Sequence, residues 1–181
     1  SILQLMWGGA NDPDMVYAAC GFGIVAMNIR SLDVRDTWYL EGQQNLRRCA
    51  GIAVHATEDA APVYVVWTDA GVFEAPTDHP FLSSPEAWTR WSDIPLETAS
   101  YAHVEFAPDG DVVVHMKTGD ASNPDELWLL NDGLGSAFPG WESGVVLDLE
   151  TTEINASNPD WRIAIADFQS IRLFNANWEQ V

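Results

Sequence analysis

The chain has 181 residues, of which 47% are hydrophobic, and its 27 acidic against eight basic side chains give a formal net charge of −19 at pH 7. This length and apolar fraction suffice for a buried core, which excludes a disordered chain. The charge excludes nucleic acid as a partner, because phosphate binding needs clustered cations and only Arg47 and Arg48 are adjacent. No apolar run reaches the roughly 18 residues of a membrane-spanning helix, so no membrane span is predicted.

The chain opens at Ser1 without an initiator Met, and Ile2–Trp7 already alternates like a strand. We interpret it as a processed or excised piece of a longer protein. A processed secreted protein has the same features.

The clearest hairpin consists of Val63–Trp67 and Val72–Ala75 around a tight turn at residues 69–71, with β-branched and aromatic residues in both strands. A related sequence segment lies earlier in the chain, around Tyr17, which is 47 residues before Tyr64. The chain therefore repeats, and two weaker copies follow.

Each copy resolves into four short strands, with Pro, Asn, Asp or Gly in the first turn. The predicted first strands are Ile2–Trp7, Ala50–Ala56, Ala102–Ala107 and Thr152–Ala156. The predicted central hairpins are Met15–Cys20 with Ile24–Ile29, Val63–Trp67 with Val72–Ala75, Asp111–Met116 with Leu127–Leu130, and Trp161–Ala166 with Ile171–Asn175. The predicted outer strands are Thr37–Leu40, Trp88–Ser92, Ser143–Asp148 and Trp178–Val181.

A period of about 45–50 residues filled with short strands is typical of propeller blades. The sequence therefore predicts an all-β fold, a β-propeller of four four-stranded blades in one domain, 1–181. The blades are expected at about 1–42, 47–95, 100–149 and 151–181. No terminal strand is left over to pair with the blade at the other end of the chain and so close the ring. We therefore expect an arc of a larger propeller, with a self-closed four-bladed ring as the alternative. Strand Ile2–Trp7 and blade four would then face the missing partner.

Residues 31–38, SLDVRDTW, resemble the Asp-box of BNR-repeat propellers, S-x-D-x-G-x-T-W, with Arg35 in place of the motif glycine. The other repeats keep only parts of this motif. The resemblance implies that Asp33 accepts backbone hydrogen bonds within its turn and that Trp38 packs inside the blade. The structural positions of this copy are Ser31, Asp33, Thr37 and Trp38.

Several residues that often carry chemistry are interpreted as structural. His55, His103 and His115 lie in predicted strands without ligand spacing on one element, so we interpret them as core or channel-lining. Cys20 and Cys49 would lie toward the same face of neighbouring blades, where a disulfide and two buried thiols both stay open. No cofactor or metal is predicted, and calcium is the one ion that the acidic turns leave open.

Catalysis is not predicted from these residues. Sialidase-like members of the resembled family use an arginine cluster and a Tyr/Glu pair, but no arginine here lies in such a motif. Carboxylate pairs are abundant, yet 27 acidic residues form pairs by chance. No catalytic residue is assigned, and whether the chain is an enzyme stays open, with a non-enzyme favoured.

If Asp-box turns mark one face, the resemblance implies that ligand-binding loops lie on the other. The predicted ligand-binding residues are Phe22, Gln43, Arg47, Arg48, Asp69, Asp120, Asp167 and Phe168. Their aromatic, amide and arginine side chains suit sugars or a protein partner.

The predicted function is therefore a non-catalytic binding or structural propeller module, extracellular or on a virion or cell surface. Its expected partner is a protein or oligomer that completes the propeller, with a glycan as the alternative ligand. A competing hypothesis is a fragment of a glycoside hydrolase or sialidase-like Asp-box enzyme. A third is an intracellular assembly factor.

Overall fold

The computed structural model describes residues 1–9, 12–57, 60–94, 99–107, 110–117, 125–131, 134–141, 144–151, 162–175 and 177–181. Within these ranges the strands form four antiparallel sheets, three of four strands and one of three, and there is no α-helix. The all-β prediction is confirmed.

Sheets 1 and 2 are four-stranded meanders, with their strands in chain order. Sheet 1 contains β1 (Ile2–Trp7), β2 (Met15–Cys20), β3 (Gly23–Asn28) and β4 (Asp33–Trp38). Sheet 2 contains β5 (Cys49–Thr57), β6 (Ala60–Thr68), β7 (Gly71–Pro76) and β8 (Thr89–Arg90), with a 3₁₀ turn at Pro85–Ala87 before β8. Gly23 begins β3 with φ +149°, and a Cβ there would lie 2.3 Å from the carbonyl oxygen of Trp38, so only glycine fits.

Sheet 3 is also four-stranded, but its outer strand is not the predicted one. It contains β9 (Tyr101–Phe106), β10 (Val112–Met116), β11 (Glu126–Asn131) and β12 (Leu134–Ala137). Asn131 pairs directly with Leu134, so β11 and β12 form a tight hairpin. The predicted outer strand Ser143–Asp148 is wrong, because β12 pairs with β11 and Asp148 begins a strand of another sheet. An Asn-Asp-Gly sequence ends ten residues before Ser143, a signal typical of two-residue hairpin turns.

Sheet 4 has three strands, β13 (Asp148–Thr151), β14 (Ile163–Ala166) and β15 (Ile171–Phe174). Its first strand begins at Asp148, and the predicted strand Thr152–Ala156 lies outside the described residues. The predicted outer strand Trp178–Val181 is reduced to one bridge between Phe174 and Gln180. Trp178 has φ +62°, which breaks the extended backbone that a strand needs.

The chain divides into two compact units, one containing Ser1–Ser92 with sheets 1 and 2, the other containing Ser100–Val181 with sheets 3 and 4. Each unit has its own core between its two sheets. In the second unit Leu127, Leu129 and Val113 of sheet 3 join Ile163 and Ile165 of sheet 4. The single-domain arrangement of the whole chain stays a prediction.

In the first unit, sheets 1 and 2 pack face to face. Trp38 is 3% exposed, and its ring centroid lies 5.3 Å from Tyr17, 5.1 Å from Tyr64 and 5.7 Å from Trp88. Its indole Nε1 donates to Asp36 Oδ2 at 3.2 Å. The predicted burial of Trp38 within the blade is therefore observed, and the tryptophan joins both sheets through ring contacts.

The two tyrosines that the sequence repeat places in register are not structurally equivalent. Tyr17 lies three residues before the end of β2, whereas Tyr64 lies four before the end of β6. A shift of one residue turns a side chain to the opposite face of its sheet. Tyr17 and Tyr64 therefore face each other across the core, where the Tyr64 hydroxyl donates to the Tyr17 oxygen at 2.9 Å.

We expect Trp38→Ala to lower the free energy of unfolding by about 3–5 kcal/mol, because it removes a large buried ring and leaves a cavity between two sheets. Urea denaturation followed by circular dichroism measures the loss. Trp7→Ala is the matched control, since Trp7 is 58% exposed. A loss for Trp38→Ala no larger than for Trp7→Ala contradicts the prediction.

Candidate functional site

A cleft of about 530 Å³ opens where β4 ends and the chain crosses toward β5. Such a volume falls within the roughly 300–1,000 Å³ of small-molecule sites. The cleft is lined by Asp36, Thr37, Tyr39, Gly42, Gln43, Ser83 and Pro85.

One wall of the cleft is the loop 39–48, which is fixed by charge and by backbone hydrogen bonds. The Glu41 carboxylate binds both Arg47 and Arg90, so it ties this loop to β8 of sheet 2. The Gly42 amide donates to the Tyr39 carbonyl at 2.8 Å, and Gly42 has φ +87°, which favours glycine. The wall is therefore preformed.

The other wall is the segment inserted between β7 and β8. Its Trp88 is buried and donates from Nε1 to the Leu82 carbonyl at 2.8 Å. The amides of Ala87 and Trp88 close the 3₁₀ turn at Pro85–Ala87 through bonds of 3.1 Å each. This ordered loop is longer than the connection of a typical hairpin, and such loops often carry binding surfaces.

A second candidate surface is the outer face of sheet 1, which points away from sheet 2. Its apolar members are joined by strand pairing, and the polar Thr37 lies beside them as the partner of Val25. The apolar members are Leu5, Trp7, Val16, Ala18, Val25 and Met27. Leu5 is 59% exposed and Trp7 58% exposed. Contiguous exposed apolar residues mark interaction sites in soluble proteins.

The second unit contains a pair of histidines between sheets 3 and 4. The rings of His103 and His115 stack with centroids 5.2 Å apart. Nε2 of the fully buried His115 lies 3.0 Å from Asp125 Oδ2, and His103 Nδ1 lies 3.9 Å from Asp148 Oδ1. Burial lowers the pKa of His115 to about 4, against the attraction of Asp125, and burial also lowers the pKa of His103. Both rings are therefore neutral at pH 7, as expected for core histidines.

Beside the histidines, a carboxyl group is held in its neutral form. Burial, followed by the negative charge of Glu150, raises the pKa of Glu105 to about 7. The Thr151 hydroxyl lies 3.4 Å from Glu105 Oε2. Within the described residues no group of three or more His, Cys, Asp or Glu side chains is arranged to hold a metal ion.

The structure brings together part of the predicted ligand-binding face in the first unit. Gln43 lines the cleft, and Arg47 supports its wall through Glu41. Phe22 and Asp69 are exposed in the β2–β3 and β6–β7 turns. The Asp69 amide donates to the carbonyl of the exposed Arg48 at 3.1 Å.

The remaining predicted residues belong to the second unit. Asp167 accepts the amides of Gln169 and Ser170 at 2.7 Å each, and these bonds, together with Arg172, hold the pKa of its carboxyl below the usual value. Asp167 is thus a turn-forming residue. Phe168 is 77% exposed beside it. Asp120 lies outside the described residues.

The turn at the predicted Asp-box is held by a different residue from the one expected. Asn28 Oδ1 accepts the amide of Arg30 at 3.0 Å and both the amide and the hydroxyl of Ser31, at 2.9 and 3.1 Å. Asp33 is exposed at the start of β4 and, within the described part of the chain, no hydrogen bond of its carboxylate is present. Asn28, which precedes the turn, accepts backbone amides of the kind that the resemblance assigned to Asp33.

Thr37 and the cysteines have structural surroundings. The Thr37 amide donates to Asp36 Oδ1 at 2.8 Å, and Thr37 also lines the cleft. Cys20 and Cys49 are free, buried thiols. Burial, with the charges of Asp69 and Cys20, raises the pKa of Cys49 to about 12, so its thiol stays protonated.

Sequence reasoning missed Asn28, Glu41 and the histidine pair. An Asn two residues before a turn is a local signal that could have been found. The other two groups join residues from different strands and loops, and no spacing along the chain records them.

No protein-family model and no curated protein matches the chain. Its fold is similar to that of PorZ, an essential bacterial surface component of the type-IX secretion system of Porphyromonas gingivalis, with a TM-score of 0.64 and 14% identity, over 100% of this chain and 20% of that chain. It is also similar to BBS1N, solved in complex with ARL6DN, with a TM-score of 0.57 and 12% identity, over 99% of this chain and 51% of that one. The chain thus spans a fifth and about half of these two structures. Both are β-propeller-like, and the likeness shows a propeller-like fold.

None of the described residues forms a helix long and apolar enough to cross a membrane.

We expect the protein to lose stability in mild acid through the histidine pair. The unfolded histidines bind protons below their ordinary pKa of 6.5, whereas folded His115 resists protonation down to about 4. The contribution of His115 to the free energy of unfolding is therefore complete above pH 6.5 and is lost as the pH falls toward 4. Urea denaturation across this range should show a shallower pH dependence for His115→Gln than for the wild type. His79→Gln, in an exposed loop, is the control, and equal slopes for all three proteins would refute the assignment.

Glu105 should make the pH dependence of stability run in the opposite direction to that of His115. Its carboxyl is protonated in the folded protein up to about pH 7 but ionises near 4.5 in the unfolded chain, so stability falls as the pH rises from 4.5 through 7. Glu105→Gln keeps the neutral shape and should remove this loss. Melting temperatures from pH 5 to 8 test it, with the exposed Glu126→Gln as control. An unchanged pH profile for Glu105→Gln would contradict the prediction.

Proposed function

We propose that this chain is a non-catalytic β-propeller module that joins a further antiparallel sheet through the outer face of sheet 1. The observation that carries the proposal is the exposure of Leu5 and Trp7, at 59% and 58%, on a face where their partners in β2 are also apolar. Leaving such a surface in water costs roughly 25 cal/mol per Å² relative to burying it.

Sheet 2 shows what this face is like when a neighbouring sheet covers it, because the equivalent face of sheet 2 is covered by sheet 1. Leu5 pairs with Ala18 two residues before the end of β2. Ile52 pairs with Val66 at the same distance from the end of β6. Leu5 and Ile52 are therefore equivalent positions in their blades. Ile52 is 1% exposed because sheet 1 packs over it, whereas Leu5 is 59% exposed.

Sheet 2 also indicates the occupant. The surface that covers Ile52 is the inner face of sheet 1, an antiparallel sheet face built from Tyr, Trp, Ile and Ala side chains. A further blade of this composition matches the outer face of sheet 1 better than a helix does. A second copy of this chain is disfavoured, because each copy carries a net charge of −19.

The comparisons support a protein partner and a surface location as parts of the same proposal. BBS1N was solved in complex with another protein, and PorZ is a bacterial surface component. The proposed role is therefore structural, a set of blades completed by a partner sheet at a virion or cell surface.

Leu5→Asp in two backgrounds tests the proposal. In the 181-residue chain the new carboxylate is exposed, so we expect a change in unfolding free energy within about 0.5 kcal/mol. In a chain extended by a second copy of residues 1–46 before Ser1, the added blade should cover Leu5. The same substitution should then cost more than about 2 kcal/mol, because it buries an unpaired charge.

The control is Ile171→Asp, an exposed apolar position in the second unit, which should behave alike in both backgrounds. Circular dichroism per residue establishes that the added blade is folded. Equal, small effects of Leu5→Asp in two folded backgrounds would overturn the docking of a blade on this face.

A further inference from the structure

The cleft beside β4 is a built site that the docking proposal does not use. Its two walls come from different segments, the loop 39–48 and the insertion before β8, and the Glu41 carboxylate holds the first against β8 through Arg90. A preformed cleft binds a ligand without the entropic cost of ordering its walls.

The side chains that line the cleft select a class of ligand. The hydroxyls of Thr37, Tyr39 and Ser83 and the amide of Gln43 can each donate and accept a hydrogen bond. Asp36 adds a carboxylate that is anchored, since its oxygens accept the Thr37 amide and the Trp38 indole. A ligand that matches this set carries several closely spaced groups that both donate and accept.

Other ligand classes lack partners here. Among the described residues, no Lys, Arg or His side chain lines the cleft, and the neighbouring Arg47 and Arg90 are both bound to Glu41, so these residues offer an anion no counter-charge. Asp36 is the one carboxylate in the lining, too few ligands for a cation such as calcium. A purely apolar ligand would remove water from the hydroxyl groups without replacing their hydrogen bonds.

We propose that this cleft binds one neutral pyranose unit, with the hydroxyl groups of the sugar bonded to Gln43 and Asp36. The rings of Tyr39 and Pro85 supply the apolar surface that the C–H face of a pyranose needs. The cleft adjoins the outer face of sheet 1 at Thr37, which pairs with Val25. Gln43 and Leu5 belong to one surface each, so substitutions at these two residues test the two proposals independently.

The test is an NMR titration of the ¹⁵N-labelled chain with the methyl glycosides of glucose, galactose, mannose and N-acetylglucosamine. One of them should shift the amide signals of Gly42, Gln43 and Ser83. Gln43→Ala should weaken that binding at least about tenfold, and it leaves the fold intact because Gln43 is exposed. Gln44→Ala, an exposed neighbour outside the cleft, should bind as the wild type does.

A comparison of the free monosaccharide with an oligosaccharide ending in the same unit identifies the source of the ligand. Equal affinity indicates a free sugar, and tighter binding of the oligosaccharide indicates a glycan; either result supports the site. Two results overturn it: no shift with any of the four glycosides at millimolar concentration, or shifts that Gln43→Ala leaves unchanged.

Discussion

The first unit depends on the contact of Trp38 with Tyr17 and Tyr64. One indole touches rings from both sheets, and the two tyrosine hydroxyls satisfy each other inside the core. A buried hydroxyl without a partner is costly, so this hydrogen bond fixes the register in which sheets 1 and 2 meet.

The two units differ in the kinds of side chain that lie between their sheets. The core of the first is closed by aromatic rings, whereas the second admits a histidine pair and Glu105 between its sheets. These polar groups are tolerated in their neutral forms, because charging any of them in a partly buried position is unfavourable. Burial therefore moves the pKa of the histidines down and that of Glu105 up.

The surfaces of the first unit differ in kind. The outer face of sheet 1 exposes Leu5 and Trp7, and hydrophobic burial favours its contact with a sheet. The cleft is concave and polar, with fixed walls, and hydrogen bonding favours a small ligand there. A module with both can be held in an assembly through one surface and remain open to a ligand through the other.

The sequence by itself determined the central hairpin of each sheet. β1 and β2 were predicted with the observed ends, since alternation of apolar residues and turn formers acts locally. It failed where a local turn signal was overlooked, at the β11–β12 hairpin and at Asn28. Gln43 was predicted as a binding residue and does line the cleft, but the cleft itself was not predictable. Only the tertiary structure joined Glu41 to Arg90, turned Tyr17 toward Tyr64 and left Leu5 uncovered, because each depends on which face of a sheet meets another, and a shift of a single residue reverses that face.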